Sequence, residues 1–146
     1  MNKLPPELQN NLGFLLLQTL KGAGDVTKPY PLPDEFRLHH LAVMQYIAYN
    51  PGTSQKLICE DLHIDPSDIA RYIKQLSSKD LLLKKQDNSD RRNSSLYITQ
   101  QGEAWLTWRA ERGNKLSPLF AQILEPQEYE QLYRLLNKFI KNSMKE

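Results

Sequence analysis

Two helix starts lie only eleven residues apart in this chain, and they constrain its fold more than any other feature. Ser54 stands in front of Leu57, Ile58 and Leu62. Its hydroxyl can accept from a free backbone N–H of the first turn, so it reads as the N-cap of a short helix that ends near His63. A second start follows at Asp65-Pro66-Ser67-Asp68. Asp65 can cap, Pro66 suits the first helical position, and Asp68 places a carboxylate where the helix dipole favours one. That second helix carries Ile69, Ile73 and Leu76 on one face, and Ser67, Asp68, Arg71, Tyr72, Lys74 and Gln75 on the other.

The next nineteen residues, Leu81 to Thr99, hold two short apolar runs, Leu81–Leu83 and Leu96–Ile98, around a polar segment rich in Asp, Asn and Ser. The runs read as two strands and the segment between them as a projecting loop, too long for a two-residue turn. The loop carries Asp87, Asp90, Arg91 and Arg92. Two short helices joined by a turn of about three residues, then a two-stranded hairpin, is the order of a winged helix-turn-helix. The expected core of this module is Leu57, Ile58, Cys59, Leu62, Ile69, Ile73, Leu76, Leu82, Leu96 and Ile98.

Around the module the apolar spacing predicts further helices. Leu8, Leu12, Leu15, Leu16 and Leu20 mark a helix over residues 7–21, and the Gly- and Pro-rich stretch 22–35 reads as an extended linker. A second helix runs from about Arg37 to Tyr49, with Leu41, Met44, Ile47 and Ala48 as its stripe, and Asn50-Pro51-Gly52 ends it. Thr99 caps a long helix containing Trp105 and Trp108, which Pro118 is expected to kink or break. A last helix follows Glu125-Pro126, with Tyr129, Leu132, Leu135, Leu136, Phe139 and Ile140 on its apolar face and Lys138, Lys141 and Lys145 near its end. The expected class is mainly α with a small β-wing. It is a single domain, 1–146, in which a DNA-binding module at 37–99 lies between dimerisation helices at 1–36 and 100–146.

Composition excludes more than it identifies. At 146 residues the chain can bury a real core, and its net charge of +2 does not argue for nucleic acid by itself. One cysteine, Cys59, rules out an internal disulfide and fits a reducing compartment; it reads as a buried structural thiol. No apolar run reaches the ~20 residues of a membrane span, and the N-terminus lacks the apolar stretch of a signal peptide, so a cytoplasmic protein without membrane partners is expected. His39 and His40 are adjacent, so on a helix they point ~100° apart and do not form a metal pair. No Ser-His-Asp set, phosphate-cradling glycine loop or paired carboxylates suggest an enzyme, and no cofactor is expected.

The run Asp87 to Gly102 resembles the wing signature of the multiple-antibiotic-resistance regulator (MarR) family. That pattern is D-x-x-D-x-R, three variable residues, then L-x-L-T-x-x-G. Asp87, Asp90, Arg92, Leu96, Thr99 and Gly102 fall in place, with Ile98 for the second leucine. Ile64-Asp65-Pro66-Ser67 and the Lys79-Asp80 junction into Leu81 match as well, so the resemblance extends over essentially the whole chain. It implies a homodimeric transcription regulator, usually a repressor, that binds a pseudo-palindromic operator and often releases it on binding a small aromatic compound or on thiol oxidation. The chain departs from the pattern at four points. His63 stands for a turn glycine, Asp68 for a Ser or Thr, the first helix has no Cys, and Pro118 interrupts the helix after the wing.

Within that frame Arg92 is the expected minor-groove contact, with Asp87 and Asp90 aiming it and stiffening the wing. Arg91 reads as a phosphate contact, and Ser54 and Gln55 as donors to phosphate. Ser67, Arg71 and Tyr72 are expected to face outward, with Arg71 taking guanine or phosphate. Asp68 either accepts from cytosine or serves the helix start, and Lys74 and Gln75 are either phosphate contacts or plain surface. His39 is a candidate helix-start residue. With Tyr46, Trp105 and Trp108 it could also line a pocket for a small aromatic effector, core packing being the plainer role for the tryptophans. Between Ser54 and Thr99, eight Lys and Arg face seven Asp and Glu, so the module carries one net positive charge. That predicts a shallow salt dependence, and it keeps open a different class of reading: a winged-helix module that binds protein and no operator.

Overall fold

The computed structural model describes residues 4–27, 36–86 and 94–144, without the side chains of 27 and 115–117. In chain order the elements are α1 (Pro6–Gln9), α2 (Leu12–Thr27), α3 (Leu38–Tyr49), α4 (Gln55–Leu62), α5 (Pro66–Ser78), β1 (Leu82–Gln86), β2 (Ser94–Ile98), α6 (Gln100–Ala121) and α7 (Pro126–Ser143). They divide into two compact units, one of Leu32–Arg112 and one of Met1–Pro31 with Gly113–Glu146.

The first unit has a continuous core. Val43, Met44 and Ile47 of α3, Ile58 of α4, and Ile69 and Leu76 of α5 are fully buried, and Phe36, Ile73, Leu81, Leu82 and Leu96 close the cluster. The buried Ile69, Ile73 and Leu76 of α5 follow the predicted spacing, because a three- or four-residue step returns a side chain to the same side of a helix. Cys59, Leu62 and Ile98 pack at its edge. Leu57, expected inside, is 47% exposed, one position and so about 100° round the helix from the buried Ile58. The largest addition is α3, which supplies Val43, Met44 and Ile47.

The hairpin is antiparallel, with Leu82 opposite Ile98, Lys84 opposite Leu96 and Gln86 opposite Ser94. It is anchored by the turn before α4: Leu96 N–H donates to Thr53 O at 2.8 Å and Gly52 N–H to Leu96 O at 2.9 Å. Gly52 makes this turn at φ 85°, a conformation that disfavours a side chain. The far end is tied as firmly. Thr99 Oγ1 donates to Asp80 O at 2.5 Å and accepts from Gly102 N–H at 3.0 Å, capping α6 as predicted. A Cβ on Gly102 would collide with the Leu81 carbonyl, so the last glycine of the wing signature is a close-approach residue.

His63 ends α4 in the left-handed region, φ 52° and ψ 41°, and this one residue turns the chain into α5. Such a conformation strains any residue with a Cβ. Ser54 caps α4 as expected, its Oγ accepting from Leu57 N–H at 3.3 Å. Asp65 occupies the cap position of α5 but its side chain makes no capping bond; Pro66 at the first helical position starts the helix instead.

In the second unit the predicted first helix is two, α1 and α2, separated at Asn10–Asn11. Asn11 Oδ1 accepts from Phe14 N–H at 2.9 Å and so caps α2. The first part of the expected linker at 22–35 is helical instead, since α2 continues through Gly22 and Gly24 to Thr27, and 28–35 lie outside the described residues. A glycine weakens a helix without ending it. Pro118 likewise does not break α6, which runs through it to Ala121. No described residue of this unit is buried. Leu12, Leu17, Leu20, Leu135, Phe139 and Ile140 stand 48–70% exposed.

Candidate nucleic-acid interface

The helix-turn-helix places α5 with one face in the core and the other free. Ser67, Arg71 and Lys74 are exposed and Asp68 is half-buried at their edge. Arg71 Nη2 donates to Asp68 Oδ1 at 2.5 Å, and the Arg71 guanidinium lies 5.2 Å from the Tyr72 ring centre. To the two roles considered for Asp68 the structure therefore adds a third, as partner of Arg71.

Tyr72 does not face outward. It is 9% exposed, its ring stacked on His39 at 5.7 Å and set edge-on to His40 at 4.6 Å. An aromatic ring one position from the apolar stripe gains more by covering the core than by standing in water. Gln75 is also turned inward, its Oε1 2.8 Å from His40 Nε2. His40 is buried, and its Nδ1 accepts from Arg37 N–H at 3.0 Å. One ring nitrogen accepting from a backbone N–H leaves the other as the donor, so Nε2–H points at Gln75. His40, not His39, is the helix-start residue of α3, and it links that start to α5. Nothing in the sequence distinguished the two histidines beyond a one-residue difference in phase.

Ser54 and Gln55 lie beside the start of α5, where Gln55 Nε2 donates to Pro66 O at 3.5 Å. An open groove of about 510 Å³ runs past them to Lys84 and Ser94 of the strands, so the α4 start, the α5 start and the wing base share one surface. On the other side of the hairpin Lys85 lies over the Tyr97 ring at 4.9 Å. Asp87, Asp90, Arg91 and Arg92, the expected wing tip, lie outside the described residues.

The residues suggested for an effector are engaged in packing. His39 stacks on Tyr72, and Trp105 meets Phe36 edge-on at 5.8 Å and Trp108 at 6.3 Å. The Tyr46 hydroxyl donates to Asp61 Oδ2 at 2.5 Å, and this bond raises its pKa above the ordinary tyrosine value. Burial, then the charge of Asp65, pushes the Cys59 thiol up, away from the thiolate that redox chemistry uses. Arg109, which the sequence did not single out, has its guanidinium held below the usual value by burial and by Arg112. Among the described residues no group of three or more His, Cys, Asp or Glu gathers as a metal site requires, and no helix is long and apolar enough to cross a membrane.

Comparison with known proteins converges on the same segment. The profile of the MarR family matches residues 37–94. A protein of Thauera aromatica, named as a putative transcriptional regulatory protein for the hcr operon, is 35% identical over 60 residues, which cover 41% of this chain and only 36% of that relative. Two solved structures share the fold along nearly the full length. The PcaV transcriptional regulator from Streptomyces coelicolor, in complex with its natural ligand, superposes with a TM-score of 0.82 at 22% identity, covering 98% of this chain and 99% of its own. A mutant MarR from E. coli, complexed with operator DNA, gives 0.78 at 19% identity, covering 91% and 96%. With the helix order, the wing register and the docked Thr99–Gly102 turn all in place, the chain has a winged helix-turn-helix fold whose residues 37–94 match the MarR family.

Proposed function

We propose that this protein is a DNA-binding transcription regulator that acts as a homodimer, reading an operator with α5 in the major groove and the wing beside it. The observation that carries this reading is α5 itself. Its apolar face is buried to the last side chain, while Ser67, Arg71 and Lys74 stand exposed on the other, and its first residue, Pro66, lines a groove that leads to the hairpin. A helix so placed, with a two-stranded ribbon at its flank, fits the grooves of duplex DNA. In this reading Ser54 donates to phosphate, Arg71 takes guanine or phosphate, and Lys74 is either a phosphate contact or plain surface. Gln55 and Gln75 have protein partners to give up first, and Tyr72 acts by packing. Arg92, aimed by Asp87 and Asp90, and Arg91 remain the proposed wing contacts.

The dimer follows from the second unit. Helices α2 and α7 and the end of α6 surround an apolar groove of about 430 Å³ lined by Ala23, Val26, Phe120, Leu132 and Leu136 among others. Exposed apolar surface on this scale asks for a partner, and a second copy supplies the symmetry that a pseudo-palindromic operator needs. Repression relieved by a small aromatic compound is the regulatory mode we infer, supported by the ligand-bound state of PcaV. The protein is a binding protein, not an enzyme, and the operator-bound relative MarR speaks against a purely protein-binding module.

Selection of bound genomic fragments, followed by gel shift on the recovered DNA, tests the reading. Specific retardation with a shallow salt dependence is expected. Absence of any preferred fragment at low salt would leave the protein-binding module as the better account.

A further inference from the structure

The Arg71 guanidinium on the outward face of α5 is held from two sides. Asp68 Oδ1 accepts from Nη2 at 2.5 Å, and the face of Tyr72 lies 5.2 Å from the guanidinium carbon. Tyr72 is in turn packed on its neighbours. It is buried, stacked on His39 and set against His40, whose two ring nitrogens are tied to the start of α3 and to Gln75. The arginine that would read a base is therefore fixed to the module core through an aromatic support.

Beyond what its carboxylate gives the first turn of α5, the pairing of Asp68 with Arg71 adds little stability. The Asp68 side chain is 43% exposed and that of Arg71 59%, and pairs this open contribute little to folding. Nor does it help to attract DNA, because a carboxylate on the reading face opposes phosphate. What the pair itself can supply is direction. A charge-assisted bond between residues three apart on a helix narrows the positions a long, flexible arginine can take before it meets a base.

We propose that Asp68 is a positioning residue that aims Arg71, lowering affinity for DNA in general and raising discrimination for the operator. This rests on α5 being the reading helix. Simple removal of a like charge and loss of aim have opposite effects on specific binding, so the two are separable by experiment.

The experiment compares wild type, Asp68→Ala, Arg71→Ala and the double variant. Each is titrated on the genomic fragment selected by wild type and on a scrambled fragment of the same length and composition, at several salt concentrations. Asp68→Ala is expected to lower the ratio of specific to scrambled affinity about fivefold or more, the scale of a base contact loosened rather than removed. Its affinity for the scrambled fragment should stay level or rise. In the Arg71→Ala background the Asp68→Ala change should cause no further loss, and Asp68→Glu should restore most of the ratio. Asp68→Asn, which keeps the side-chain shape, replaces the alanine variant if the latter melts early. Tighter binding of both fragments with an unchanged ratio overturns the proposal. So does an equal loss in the Arg71→Ala background, which would mean that Asp68 touches a base directly. A wild type that prefers no fragment overturns the regulator reading, and this proposal with it.

Discussion

Leu76 and Leu20 are both leucines in regular helices, yet one is fully buried and the other 70% exposed. The contrast holds across their units. Residues 36–112 close a core with α3, α4, α5 and the hairpin, whereas the described residues of α2, α7 and the end of α6 bury nothing completely. Apolar spacing looks alike in the two regions, and what separates them is geometry. Short helices joined by tight turns surround a centre and exclude water from it. Long helices present stripes, and a stripe needs something laid along it.

The sharpest way to break this contrast is to cut into each region and watch concentration. Ile69→Ala should cost about 3 kcal/mol by leaving a cavity in a filled core, a loss that stays the same across protein concentrations. A loss below about 1 kcal/mol would mean that the core is loosely packed. Phe139→Asp on α7 should instead raise the dimer dissociation constant at least about thirtyfold, the ~2 kcal/mol of an interface anchor, as read by sedimentation equilibrium. An unchanged sedimentation profile would reduce the open face of α7 to plain surface. Gly102→Ala should cost about 2 kcal/mol, because a methyl group there meets the Leu81 carbonyl and must push α6 off the α5–β1 turn. The smallest effect should come from His63→Gly, which removes left-handed strain and adds unfolded-state entropy, for a net gain of about 0.5 kcal/mol in chemical denaturation. Destabilisation by that change would show that the imidazole makes a contact worth more than the strain.

Much of the module was legible because its signals are local. Ser54, Pro66 and Thr99 announce helix starts through their own chemistry, and Ile69, Ile73 and Leu76 announce a face through spacing alone. The errors fall where local rules compete with packing. Leu57 has the composition of a core residue but the wrong phase. Gly22, Gly24 and Pro118 are breakers whose cost the surrounding helix absorbs. Tyr72 reads as outward by elimination, and only the closeness of α3 to α5 shows that a ring there covers the core. The wing signature was the clearest text in the chain, and its last letter now has a reason: Gly102 lets α6 start against Leu81.

What the sequence by itself determined is the order of helices and strands within the winged module, the turn at His63 and the pairing of the two wing strands, since each depends on residues close along the chain. What only the tertiary structure decided is which side chains meet across elements. Arg71 faces solvent by spacing, but its hold on Asp68, its support on Tyr72, and the link from Tyr72 through His40 to Gln75 and the start of α3 arise from residues up to 35 positions apart. Contacts of that span depend on the crossing of two helices, and no local pattern encodes the angle at which they cross.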